Sequence, residues 1–190
     1  MKATPKSRKG LRTQQIVEVS EPSELVRLYD EDVALMWWRL PALPDAETVL
    51  SRDPFVWTCE VGAAGAELEA LGPLVESATM LARARLLVEL HSALFEVDAV
   101  GVRVTLTQTP LCPSFHVSRQ HCQLLTTLAG DGTQWVRGPG YAVNEASVVE
   151  QLPSAAVGWF KGREWPDIMP VAHRSPAGTA RRLVMSIDLL

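Results

Sequence analysis

Two short stretches of this chain carry side chains that could do chemistry together. Cys112-Pro113-Ser114-Phe115-His116 offers a thiol and an imidazole four residues apart, and His173-Arg174-Ser175-Pro176 offers a second imidazole. Thiolate and imidazole are both ligands for zinc and other first-row metals. Ser118 follows His116 by two positions, so on an extended strand the two side chains would share a face. Arg182 opens the last β-prone run, where a guanidinium could grip a carboxylate through paired hydrogen bonds. An early His-x-polar pair, a late His and a following Arg match the order of a two-histidine, one-carboxylate site on a double-stranded β-helix. Such sites keep positions open for oxygen and a co-substrate. The same histidines can equally be read as hydrogen-bonded core or loop residues.

The remaining reactive residues are weaker candidates. His121 and Cys122 are neighbours, so on a strand they face opposite sides and at most one could join the two histidines. His91 lies beside Leu90 in a helical pattern and reads as a surface or core residue, and Cys59 is isolated and reads as a small apolar group. Trp135, Trp159 and Trp165 sit in or beside Gly/Pro-rich turns; they are packing anchors or the lining of a cleft. Gly130-Asp131-Gly132-Thr133 lacks the Gly-Lys-Ser/Thr ending of a phosphate loop. Neither Ser114 nor Ser118 has a Gly-x-Ser-x-Gly setting, so a hydrolase triad is unsupported.

The elements that must position these residues change character midway. Ser20-Glu21-Pro22-Ser23-Glu24 reads as a helix start before Leu25, Val26 and Leu28. Val33–Leu40 is apolar up to Pro41, and Pro44-Asp45 opens another short helical stretch. From Glu67 to Leu94, apolar residues recur at three- and four-residue steps, with a break expected at Gly72-Pro73. Residues 20–96 are therefore expected to be mainly helical. Beyond Val97 the period becomes two: Val100, Val102, Val104 and Leu106 alternate with Gly101, Arg103, Thr105 and Thr107. Further β-prone runs lie at 117–128, 147–152, 155–161 and 182–189, bounded by turn residues. The expected fold is α+β, one domain over 20–190, with a helical N-terminal half packed on a C-terminal double-stranded β-helix of jelly-roll or cupin-like build. Residues 1–19 read as a flexible basic tail.

Bulk composition narrows the function classes. The 190 residues are 47% hydrophobic and 21% charged, enough for a real core in one domain. A net charge of −4 provides no basic field for nucleic acid or anionic membrane. No apolar run is long enough to span a bilayer. Three cysteines without CxxC spacing argue against a disulfide framework and for a reducing, cytoplasmic setting.

Several motifs together resemble a known family. Cys112-Pro113-Ser114-Phe115-His116-Val117, Leu124-Leu125-Thr126-Thr127, Gly130-Asp131-Gly132-Thr133-Gln134-Trp135, Lys161-Gly162-Arg163-Glu164-Trp165-Pro166, His173-Arg174-Ser175-Pro176 and Arg181-Arg182-Leu183 resemble domain of unknown function 1826. Trp37-Trp38-Arg39 looks like that family's N-terminal helical motif. The resemblance implies a bacterial cytoplasmic protein in a metal-homeostasis setting, where zinc-responsive regulation and metal-chaperone GTPases are neighbours. The chain departs from the family's Cys-Pro-x-Phe-His-x-Asp at one position, where Ser118 replaces the Asp. A neutral hydroxyl is a poor ligand for a hard metal. Either Cys112 supplies the anionic donor in a softer site suited to zinc, or metal binding has weakened, or an oxygenase scaffold keeps a vacant position.

Two expectations from different classes follow. In the first, His116, His173 and Cys112 hold zinc or iron, and a catalytic form would be an iron- and 2-oxoglutarate-dependent oxygenase with Arg182 or Arg181 on the co-substrate carboxylate. Ser118, Phe115, Trp135, Lys161 and Arg174 would line its pocket for a small-molecule ligand. In the second, the protein is a non-enzymatic zinc-handling accessory that meets a metal-handling partner protein, or a member that has lost its site.

Overall fold

The computed structural model describes residues 14–63, 68–74, 76–138, 143–178 and 180–190. Most of the expected basic tail lies outside them. Its last residues do not: Gln15–Val19 form strand β1, paired in parallel with β2 (Val33–Trp38). The expected helical N-terminal half is thus corrected to a mixed one. Val33, Ala34, Leu35 and Met36 are each at most 1% exposed, because β2 lies inside the sheet between β1 and β8 (Val157–Lys161). A strand buried on both faces is apolar at every position, so its sequence cannot be told from a buried helix by periodicity. A third strand, β3 (Phe55–Gly62), also falls in this half.

Among the described residues, true helix is confined to short α1 (Ala46–Leu50) and α2 (Ala78–Phe95), with 3-10 segments at Pro22–Tyr29 and Leu68–Leu74. The Glu67–Leu94 pattern becomes α-helical only after Gly72-Pro73. Gly72 adopts φ 52°, and the helix proper begins after its N-cap Ser77, whose hydroxyl accepts a hydrogen bond from the Met80 amide at 3.0 Å.

The main sheet has seven strands in the order β1-β2-β8-β5-β10-β4-β3, where β4 is Ala99–Thr107, β5 Cys122–Ala129 and β10 Arg182–Leu189. Apart from the β1–β2 pair, its ladders are antiparallel. A smaller antiparallel sheet runs β7-β6-β9 (Glu150–Gln151, Gln134–Val136, Ala172–Arg174). Among the described residues, no helix is long and apolar enough to cross a membrane.

Strand alternation divides the main sheet into two unlike faces. Val102, Val104, Leu106, Leu124, Leu183, Met185 and Ile187 join Leu87 and Val88 of α2 in the main core. The opposite face carries Arg103, Thr105, Gln123, Leu125, Arg182, Val184 and Ser186, which line a cavity. Polar residues that alternation alone would assign to solvent are here turned into an interior space; Thr105 is only 3% exposed.

Candidate functional site

His116 and His173 meet through the backbone. The His116 amide donates to the His173 carbonyl at 3.1 Å, and the His173 amide donates to the His116 carbonyl at 2.8 Å. This bridge adds the 116 segment to the edge of β9 and brings the imidazole centroids to 4.5 Å. Two residues on, Ser175 closes a second pair of contacts: its amide donates to the Cys112 carbonyl at 2.9 Å, and its hydroxyl accepts from the Cys112 amide at 3.4 Å. The Cys-Pro-x-Phe-His and His-Arg-Ser-Pro motifs are therefore two sides of one interlocked structure.

The histidines are oriented differently. His116 Nδ1 lies 3.1 Å from the Ser114 carbonyl oxygen, and since a carbonyl only accepts, Nδ1 is the donor of that bond. His173 is 3% exposed and packs against Phe160 at 4.7 Å. Burial, reinforced by the neighbouring His116, pushes its pKa down to about 3. Its Nδ1 is buried without a hydrogen-bond partner. Such an orphan costs roughly 1–3 kcal/mol.

Arg182 enters the same cavity from β10. It is 5% exposed; Nε donates to the Asp131 carbonyl at 2.6 Å and Nη2 to Thr127 Oγ1 at 3.1 Å. Desolvation lowers its pKa, with partial relief from Asp131. The glycine-rich turn makes this grip possible. Gly130 has φ 88°, and a Cβ there would lie 2.4 Å from the Arg181 carbonyl; a Cβ on Gly132 would lie 1.9 Å from the Leu152 carbonyl. The turn signal in the sequence thus serves to hold Arg182.

The cavity measures about 280 Å³ and is lined by Cys112, His116, His173, Arg174 and Arg182 together with Arg103, Thr105, Thr133 and apolar Leu111, Leu125, Val56 and Val184. Among the described residues, no aspartate or glutamate lines it. Arg174 stands at its wall with its guanidinium over the Phe115 ring at 4.3 Å and Nε donating to Gln134 Oε1 at 2.9 Å.

Several expected site residues lie elsewhere. Ser118 does not share a strand face with His116, because the chain leaves extended pairing after His116 and regains it at Cys122. The Ser118 hydroxyl instead accepts from the Gln120 amide at 3.3 Å and its carbonyl from the Arg163 amide at 3.0 Å. Phe115 supports Arg174 without lining the cavity, and Trp135 is core, 3% exposed. Lys161 is buried on the far side; its Nζ donates to the Asp30 carbonyl at 2.9 Å and sits 4.3 Å from the Trp165 ring centre. Arg181 points away and donates to the Leu50 carbonyl at 2.7 Å and to that of Arg52, tying α1 to the sheet. His121 stacks on Trp165 at 4.4 Å, and Cys122 is fully buried, its thiol pKa raised by desolvation. Arg103 and Thr105 were legible only as the polar side of a strand; nothing in their spacing marks them as a cavity wall.

The arrangement can be tested against the metal and 2-oxoglutarate expected from the order of His116, His173 and Arg182 in the sequence. It fits a dianion, since a buried guanidinium opens into an acid-free cavity. For a metal it offers two imidazoles and an exposed thiol around one space. Among the described residues, however, no three His, Cys, Asp or Glu side chains are grouped closely enough to hold an ion. A metal held here would take two nitrogen donors from the protein and its further donors from a ligand.

Comparison with solved structures shows what this build is similar to. The dioxygenase for auxin oxidation from rice superimposes with a TM-score of 0.56 at 12% identity, covering 93% of this chain and 83% of that one. A Shewanella oneidensis protein assigned as an oxygenase gives 0.51 at 11% identity, covering 93% of this chain and 89% of that one. At such identities the likeness establishes a shared fold, the jelly-roll build of these proteins. No curated protein matches the sequence. The sequence itself gives a direct assignment: residues 19–188 match the family described as protein of unknown function (DUF1826), and this chain belongs to it.

Proposed function

We propose that the cavity is an oxygenase-type small-molecule site, in which Arg182 receives a carboxylate of a 2-oxoglutarate-like dianion and His116 and His173 hold a divalent metal. The observation that carries the reading is Arg182: a guanidinium 5% exposed, its Nε and Nη2 fixed by Asp131 and Thr127, facing the same acid-free space as a paired-histidine bridge. A buried cation bonded directly only to a carbonyl and a hydroxyl, with partial relief from the Asp131 charge, still favours an anionic ligand. Iron at the histidine pair would supply oxygen activation. The chain's own contribution is to anchor and orient. Ser114 fixes the His116 tautomer, Phe160 packs on the His173 ring, and the Gly130–Thr133 turn holds Arg182 in place.

The test is calorimetric titration of 2-oxoglutarate into the full chain, with and without manganese, which binds like iron but is not readily oxidised. Wild-type protein should bind the dianion, manganese should tighten that binding, and Arg182→Gln should lose it. Equal binding by Arg182→Gln would sink the reading.

A second reading rests on Cys112, whose exposed thiol lines the same cavity. A soft thiolate beside two imidazoles favours zinc and a metal-handling role without catalysis. Zinc retained on purification and lost in Cys112→Ser would favour it; unchanged zinc in that variant would count against it.

A further inference from the structure

The cavity has a second cationic end that the dianion at Arg182 does not use. Arg182 pairs with Thr107 across the β10–β4 ladder, and Arg103 pairs with Ser186. Arg103 therefore stands four residues further along β4, about 13 Å away at the usual rise per residue. Both arginines line the same cavity, with apolar Leu125 and Val184 also on its floor. At about 280 Å³ the space is near the lower end of small-molecule pockets, roughly 300 Å³. A co-substrate anchored at Arg182 fills much of it, so a second molecule must occupy the mouth.

That mouth has a definite chemistry. Val56 is 65% exposed and Leu111 46% exposed, and both line the cavity. They give an apolar rim beside an exposed guanidinium. Two carboxylates belong to a neighbouring groove: Asp188 of β10, which accepts from Gln123 Nε2 at 2.8 Å, and Glu60 of β3, which pairs with Gly101 two residues from Arg103. Arg103 also borders that groove. Both weaken the field at Arg103, and neither lines the cavity.

We infer that the primary substrate is a small amphipathic organic anion, its charged group held by Arg103 and its apolar body lying against Val56, Leu111 and Leu125. The inference rests on the proposed function only in assigning the Arg182 end to a separate co-substrate.

The test uses 4-phenylbutyrate and its neutral amide as probes, titrated by calorimetry into the metal-free full chain with and without saturating 2-oxoglutarate. The carboxylate should bind in both conditions and the amide at least about tenfold more weakly, the loss expected for one charge-assisted contact. Arg103→Gln should weaken the carboxylate by a similar factor and leave 2-oxoglutarate binding unchanged, while Arg103→Lys should recover part of it. Equal affinity for acid and amide, an undiminished Arg103→Gln, mutual exclusion with 2-oxoglutarate, or no binding of the carboxylate would each overturn the inference. If 2-oxoglutarate fails to bind but 4-phenylbutyrate binding still depends on Arg103, the co-substrate reading falls and the Arg103 subsite stands.

Discussion

His116 and His173 are joined by two reciprocal backbone hydrogen bonds, at 3.1 and 2.8 Å, so their side chains are brought together by main-chain atoms that an alanine substitution leaves in place. Positioning and chemistry are therefore separable at this site.

His116→Ala with His173→Ala should leave the circular dichroism spectrum unchanged and abolish metal uptake measured by elemental analysis after incubation with manganese or zinc. His116 is only half-buried, so its single replacement should cost less than about 1 kcal/mol. Full metal stoichiometry in the double variant would remove the histidines from the site.

Arg182→Lys retains the charge but not the planar fork that bonds Asp131 and Thr127 together. We expect affinity for 2-oxoglutarate to fall about tenfold or more, corresponding to about 1.4 kcal/mol. Titration calorimetry would measure it, and an unchanged affinity would show that the fork is not what binds.

Gly132→Ala should destabilise the protein by about 3 kcal/mol, as a backbone clash at a position with no room to yield. The new Cβ would lie 1.9 Å from the Leu152 carbonyl, and Leu152 donates its amide to Thr133, part of the cavity wall. Urea unfolding of the variant would read the loss, and a change below about 0.5 kcal/mol would mean that the turn adapts.

Stability should also depend on acid through His91. This residue is fully buried on α2, packs on Phe95 at 4.9 Å, and has no hydrogen-bond partner for either ring nitrogen. Burial lowers its pKa from 6.5 to about 4. Between those values the unfolded chain takes up a proton that the folded chain refuses. Stability therefore falls as pH drops from about 6.5 toward 4, by roughly 3 kcal/mol at full extent, and above 6.5 this contribution is constant. In His91→Leu the same pH series should be flatter by that difference. Parallel curves for the two proteins would refute it.

Much of the architecture was open to sequence reasoning because it is local. Two-residue alternation from Val100 to Thr107 marks β4, the Arg182–Leu189 strand coincides with the run expected there, and Gly72-Pro73 interrupts the long apolar pattern where the backbone turns. The two histidine motifs stand out by residue type alone. What sequence could not settle is which neighbour each strand acquires. Val33–Met36 could be a buried helix or a buried strand, and only its place between β1 and β8 decides. The same limit applies to the site. Ser118 is two residues from His116 yet leaves its face, because pairing stops at the bridge with His173. Arg181 and Arg182 are adjacent, but strand alternation sends the second into the cavity and the first to α1. Residue types and periods are properties of a few consecutive positions. A cavity wall is assembled from strands far apart in the chain, from Arg103 to Val184, and their register exists only once the sheet has formed.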